Sequence, residues 1–180
     1  MIGSYFPSGD LGVVHIYFDG QDWGLTLEDT SIKESNDYTE IKKAQKGTKP
    51  VDKYRTGTIW IVKAKFTDFN KALLSNNPSI VFGGGSSPIS AKLGASLYQS
   101  LIANAKTCKI VRVESDLSDT TDPAFILNFY KAVPVFPEMD WTFSPDKQRS
   151  IEVQIECYFD ENRGAYGYFG NASSVGLSAI

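Results

Sequence analysis

Apolar and polar positions alternate with a period of two along most of this chain, which is the pattern of half-buried β-strands. Residues 13–18 (VVHIYF) are followed by Asp19-Gly20, a two-residue turn signal, and then by residues 23–27, so the chain opens on a predicted β-hairpin. Residues 32–43 read as a polar, partly alternating strand, and residues 58–66 (TIWIVKAKF) as the strongest strand of the first half. Three more strands are expected at 106–114, 124–132 and 151–159. The last alternates most cleanly: Ile151, Val153, Ile155, Cys157 and Phe159 are predicted to face a core, and Glu152, Gln154, Glu156, Tyr158 and Asp160 to face water. Helical spacing is scarce. Residues 67–74 (TDFNKALL) predict a short helix with Thr67 as N-cap, stopped at 75–78, and residues 95–105 a second turn or two. Residues 83–88 (GGGSSP) predict a flexible loop, and the small-residue segment 170–180 a tail that stays loose unless a neighbour pins it. The expectation is a mainly β protein: a β-sandwich or barrel with one or two short flanking helices, forming a single domain over residues 1–180.

Composition narrows the function more than the fold. A chain of 180 residues with 42% hydrophobic and 13% aromatic side chains buries a core without metal or disulfide staples. The 18 basic residues against 21 acidic ones, with a pI near 5.2, argue against a general nucleic-acid binder. No apolar run approaches membrane-spanning length, and the first residues lack the pattern of a secretory signal, so synthesis in a cytoplasm is expected. Cys108 and Cys157 fall in separate strand-like runs without CxxC spacing, as small buried hydrophobes do.

Charge is unevenly spread. The segment from Lys42 to Arg55 (KKAQKGTKPVDKYR) carries six basic side chains, Lys42, Lys43, Lys46, Lys49, Lys53 and Arg55, against one acid, Asp52. Gly47 and Pro50 punctuate it between two strands, which predicts a presented loop. Residues 138–161 hold seven acids against Lys147 and Arg149. A molecule positive in one region and negative in another has the electrostatics for head-to-tail self-association.

Catalytic constellations are missing. His15 is the one histidine and sits inside a strand, where a packed or surface position explains it better than a catalytic base. No G-x-S-x-G elbow accompanies it. One histidine and two separated cysteines do not make a zinc site. Asp116, Asp119 and Asp122 in DLSDTTD lack the alternate spacing, Gly turn and closing Glu of a calcium loop. Gly83-Gly84-Gly85 lacks the Lys-Ser/Thr of a phosphate loop. Asn171-Ala172-Ser173 matches a glycosylation acceptor, which means nothing without a secretory signal. The sequence therefore predicts no enzyme, no cofactor and no metal.

The run 37–69, DYTEIKKAQKGTKPVDKYRTGTIWIVKAKFTDF, resembles the major tail tube proteins of tailed bacteriophages. The resemblance rests on Glu40-Ile41, Gln45, Gly47, Pro50-Val51-Asp52 and Thr56-Gly57, followed by a strongly alternating strand. The stretch from Val14 to Thr26 is similar to that family's first hairpin. Phe129-Tyr130-Lys131-Ala132, Gln148-Arg149 and Tyr158-Phe159-Asp160 are similar to its closing strands. The resemblance implies a helix-flanked β-sandwich that forms six-membered rings, stacked into a hollow tube, with sheets of neighbouring subunits joined edge to edge. It implies that residues 36–57 form the loop that reaches the adjacent ring, with contacts from Lys42, Lys43, Lys46, Lys49, Pro50, Asp52, Lys53, Tyr54 and Arg55. An acidic lumen is expected, so that DNA slides through without specific binding. Glu152, Gln154 and Glu156 are the first candidates for its wall, with Glu34 and Glu40 sharing or replacing them. Expected partners are copies of this chain, then tape-measure, tail-terminator and baseplate proteins, in a virion tail assembled in the host cytoplasm, with no membrane. The rival expectations are a tail terminator or distal-tail ring, a contractile injection-device tube protein, or a β-sandwich ligand-binding module marked by aromatic clustering on one exposed face.

Overall fold

In the computed structural model the residues described are 12–27, 30–42, 50–67, 70–83, 91–93, 101–114, 116–137 and 150–180. Among these residues ten strands and one short α-helix follow one another: β1 Val14–Phe18, β2 Gln21–Leu25, β3 Ser31–Lys42, β4 Pro50–Phe66, α1 Lys71–Leu74, β5 Ile80–Phe82, β6 Ala91–Leu93, β7 Lys106–Arg112, β8 Ile126–Val135, β9 Ile151–Tyr158 and β10 Gly167–Phe169. The main sheet is antiparallel in the order β2-β1-β7-β8-β9-β4-β3, with β10 added to β8, while β5 and β6 form a separate two-stranded ribbon.

The sheet closes on itself just past β2. Thr26 bridges to Phe66 of β4, and the Leu27 amide donates to the Lys65 carbonyl at 2.7 Å. Thr26 also accepts the Val14 amide on its hydroxyl at 3.1 Å, so one residue joins β1 to β4. The result is a small barrel of six strands, and closure removes edges that would otherwise stay unpaired. Its interior is filled by the inward residues of each strand: Ile16 and Phe18, Val62 and Phe66, Ile110, and Ile151, Val153 and Ile155 are all at most 1% exposed. Leu73 and Leu74 of α1 join this cluster.

The predicted first hairpin is present, and Asp19 and Gly20 both take positive φ, 52° and 73°, as a type I′ turn requires. One bulge in that hairpin escaped the pattern. Ile16 pairs with Gly24 and Tyr17 with Asp22, leaving Trp23 as the extra residue, turned inward and fully buried.

Other expectations are corrected. The helix spans only Lys71–Leu74, and its N-cap is Asn70, whose side chain accepts the Ala72 amide at 2.9 Å; Thr67 is not the cap. Of the second expected helix, residues 95–100 lie outside the described set, and Ile102–Asn104 form a single 3-10 turn. Residues 84–88 of the Gly-rich loop lie outside it as well. Phe159 does not join the core: β9 ends at Tyr158, Phe159 is 45% exposed, and Asp160 is buried instead, held by Lys131 and Arg163. The small-residue tail carries anchors of its own. Asn171 caps a 3-10 turn at Ala172–Val175, the Tyr130 hydroxyl donates to the Ser178 carbonyl at 2.7 Å, and the Ile180 amide donates to the Tyr168 hydroxyl at 3.1 Å.

Candidate assembly surface

Where it is described, at Lys42 and from Pro50 to Arg55, the basic segment expected as a loop is paired strand. β3 runs to Lys42 and β4 starts at Pro50, so only residues 43–49 fall between them, outside the described set. Six cross-strand partners from Asp37 to Lys42 zip this part of the hairpin, including Thr39 with Tyr54 and Glu40 with Lys53. β-Branched and aromatic side chains and opposite charges facing each other are what hold such a ribbon together. β9 accompanies β4 only from Trp60 onward, so the ribbon of residues 36–42 and 50–58 leaves the barrel as an arm of two strands, extending roughly 20 Å at strand rise. Among the described residues, the outer edge of β3 has no strand partner, and neither has the far edge of β4 before Trp60. Tyr38, Ile41 and Tyr54 stand 53%, 42% and 54% exposed on it.

A second bulge decides what each face of the arm carries. Asp37 pairs with Gly57 and Tyr38 with Arg55, which leaves Thr56 as the extra residue. Without it Tyr54 would follow Trp60 and Thr58 on one face; with it, Arg55 and Lys53 do. The face continuous with Trp60 therefore holds Glu34, Asn36, Tyr38, Glu40, Lys53 and Arg55. Contacts across it agree: Lys53 Nζ lies 5.0 Å over the Tyr38 ring, and Arg55 Nη1 is 3.4 Å from Glu34 Oε1. The opposite face carries Thr39, Ile41, Asp52 and Tyr54.

At the base of the arm lies an open cleft of about 400 Å³. Its walls are Trp60, Leu127, Phe129, Phe159, the 164–169 segment and, at the lip, Arg55. Phe159 meets Tyr166 edge-on at 5.3 Å, and Trp60 meets Phe129 at 6.4 Å. The Tyr166 hydroxyl donates to the Thr58 carbonyl at 2.7 Å, tying the 160–167 turn to the arm's base. β10 forms the floor by pressing Gly167 onto β8, where a Cβ would lie 2.0 Å from the Asn128 carbonyl oxygen and 2.9 Å from Phe129 Cα. Gly167→Ala is expected to lift β10 and cost about 1–3 kcal/mol, because the obstructing atoms are backbone and have no rotamer to change; urea unfolding reads the loss. This cleft is the aromatic cluster that linear order concealed, since its members come from β4, β8, the end of β9 and β10.

The five candidate lumen residues do not share a face. Glu152, Gln154 and Glu156 stand on the outer face of β9, opposite Lys65, Lys63 and Ile61 of β4. Glu156 accepts hydrogen bonds from the Tyr158 hydroxyl at 2.7 Å and from Gln154 Nε2 at 3.1 Å. Burial and that bond push the Tyr158 hydroxyl up to about 12. Glu34 and Glu40 lie on the cleft side of β3 by register with Trp60 and Lys53. Of the basic candidates, Lys43, Lys46 and Lys49 fall outside the described residues, as do residues 138–149 of the acidic counterweight.

His15 faces outward from β1 and binds two carboxylates: Nε2 lies 2.5 Å from Asp22 Oδ1 and Nδ1 3.0 Å from Asp119 Oδ1. The Tyr17 hydroxyl donates to Asp119 Oδ2 at 2.6 Å. The other two acids of DLSDTTD accept amides in their own turns, Asp116 from Ser118 and Asp122 from Ala124. Among the described residues no group of acids, histidines or cysteines is arranged to hold a metal. Burial works to raise the Asp119 carboxyl, but the Tyr17 and His15 hydrogen bonds and the charges of His15 and Lys109 outweigh it and hold the group below the ordinary carboxylate range. A carboxylate lowered in the folded state stabilises it above the unfolded value, near pH 4, and that contribution disappears as pH falls through the folded value. Asp119→Asn is therefore expected to cost about 1–2 kcal/mol at neutral pH and to flatten the acid limb of a stability–pH curve below about pH 4. The two thiols are free and buried; burial pushes Cys108 up to about 12, and burial, with Cys108 and Glu156 nearby, raises Cys157 further.

No protein-family model matches this chain. No curated protein matches it. Among solved structures it is similar to a chain in the cryo-EM structure of the anti-feeding prophage (AFP) baseplate, 6-fold symmetrised, with 8% sequence identity, a TM-score of 0.38 and 88% of each chain covered.

Proposed function

We propose that this chain is a structural subunit of a virion tail, and that copies of it associate into rings, of six by the tube-protein resemblance, which stack into a hollow conduit for DNA. The observation that carries the reading is the arm. A ribbon of two strands with open backbone edges and exposed Tyr38, Ile41 and Tyr54 is only marginally stable in water, and its open edges await another chain. The resemblance of residues 37–69 to tail tube proteins supplies the identity of that chain: another copy. In this reading Glu152, Gln154 and Glu156 line the lumen and limit adhesion of a polyanion. The work is mechanical and electrostatic, without turnover, cofactor or metal.

Sedimentation velocity of the purified chain at tens of micromolar tests the reading. Species well above the monomer are expected. A monomer alone, with and without tail-initiating proteins, contradicts it. A second reading, a ligand-binding module, draws on the aromatic cleft and predicts that monomer.

A further inference from the structure

We infer that the aromatic cleft is the receptor for the arm of a second copy of this chain, which lays Tyr54 and Ile41 into the cleft and presents Asp52 to Arg55. The inference rests on the self-assembly reading above and assigns the surface through which it works.

The cleft's chemistry selects its occupant. Its two tyrosine hydroxyls are engaged, Tyr166 with the Thr58 carbonyl and Tyr168 with the Ile180 amide. Among the described residues Arg55 is the charged side chain that lines it, 57% exposed and 3.4 Å from Glu34 Oε1. A fitting partner has an aromatic or aliphatic body and one carboxylate beside it. The arm's outward face carries that set: Tyr54 and Ile41, 54% and 42% exposed, with Asp52 paired directly to Ile41 and a second acid, Asp37, nearer the barrel. An entering Tyr54 ring would find Phe159, itself 45% exposed, at the rim for an edge-to-face contact. Asp52 and Arg55 form the charge-assisted pair most favoured by guanidinium geometry.

The Thr56 bulge makes the contact intermolecular. It puts Arg55 on the cleft face and leaves Tyr54 on the opposite one, so an arm cannot fill the cleft of its own chain without unpairing β3 from β4. Knob and hole on opposite faces of one subunit give a heterologous contact, which repeats from copy to copy until it closes as a ring or continues as a stack.

Complementation tests this. Tyr54→Asp spoils the arm and keeps the cleft; Phe159→Asp spoils the cleft and keeps the arm. Both positions are about half exposed, and thermal melts verify folding, with Phe159→Ser as the replacement if Phe159→Asp melts early. Each variant alone should self-associate on the order of 30-fold more weakly than the native chain. Mixed in equal amounts, they should form a 1:1 heterodimer through the one intact arm and the one intact cleft. Native-like self-association by either variant, or a mixture that sediments as monomers, overturns the inference. If the native chain itself stays monomeric, the self-assembly reading fails first, and this inference falls with it.

Discussion

Replacing Lys46, Lys49, Lys53 and Arg55 together by Glu should leave each subunit folded and abolish long tubes. Lys53 and Arg55 are exposed on the arm, away from the buried cluster of the barrel. Inside the subunit the change sets Glu opposite Glu40 across the ribbon and beside Glu34 on the cleft face, where like charges cost a few tenths of a kcal/mol to about 1 kcal/mol. Between subunits the effect multiplies. An exposed ion pair contributes only about 0–1 kcal/mol, yet a ring repeats each pair around its circumference, so small losses sum to a broken joint. The native assembly should also shorten at high salt, because screening weakens each exposed pair. A quadruple variant that forms tubes of native length would show that the arm's charge is not the joint.

Trp23→Ala should be the costliest single change to stability, about 3–5 kcal/mol. Trp23 is fully buried, stacks on Phe18 with ring centroids 4.6 Å apart, and meets Phe66 edge-on at 6.3 Å. It thereby links β1, β2 and β4 close to the Thr26 closure, where the barrel has the fewest cross-strand bonds. Trp23→Phe should lose much less, under about 2 kcal/mol. It keeps the ring contacts and removes an indole Nε1 that is buried with no hydrogen-bond partner among the described residues. Denaturant midpoints of the two variants separate these effects; a loss below about 1 kcal/mol for the alanine variant would mean the barrel does not depend on that seam.

The β class and most strands were legible because alternation reports one buried face, and a barrel buries one face of every strand. Ile151, Val153 and Ile155 announced β9, and Asp19-Gly20 announced the turn between β1 and β2. The bulges at Trp23 and Thr56 were not legible, because an extra residue leaves the alternation locally ambiguous and is fixed only by the partner strand. The arm was read as a loop for a related reason. Gly47 and Pro50 are loop residues by propensity; Gly47 lies outside the described residues, and at Pro50 pairing with β3 overrides that propensity. The charged half of the candidate surface could be seen in the run from Lys42 to Arg55. The aromatic half could not, since Trp60, Phe129, Phe159 and Tyr166 are brought together only by closure of the barrel and the return of β10. Asp119 was invisible as a partner of His15, being 104 residues away.

Negative-stain electron microscopy of the purified, full-length chain tests the central claim most directly. The account predicts rings and stacked tubes with a stain-filled lumen, lengthening with concentration and shortening with salt. Featureless monomers across the same range of concentration and salt would contradict it.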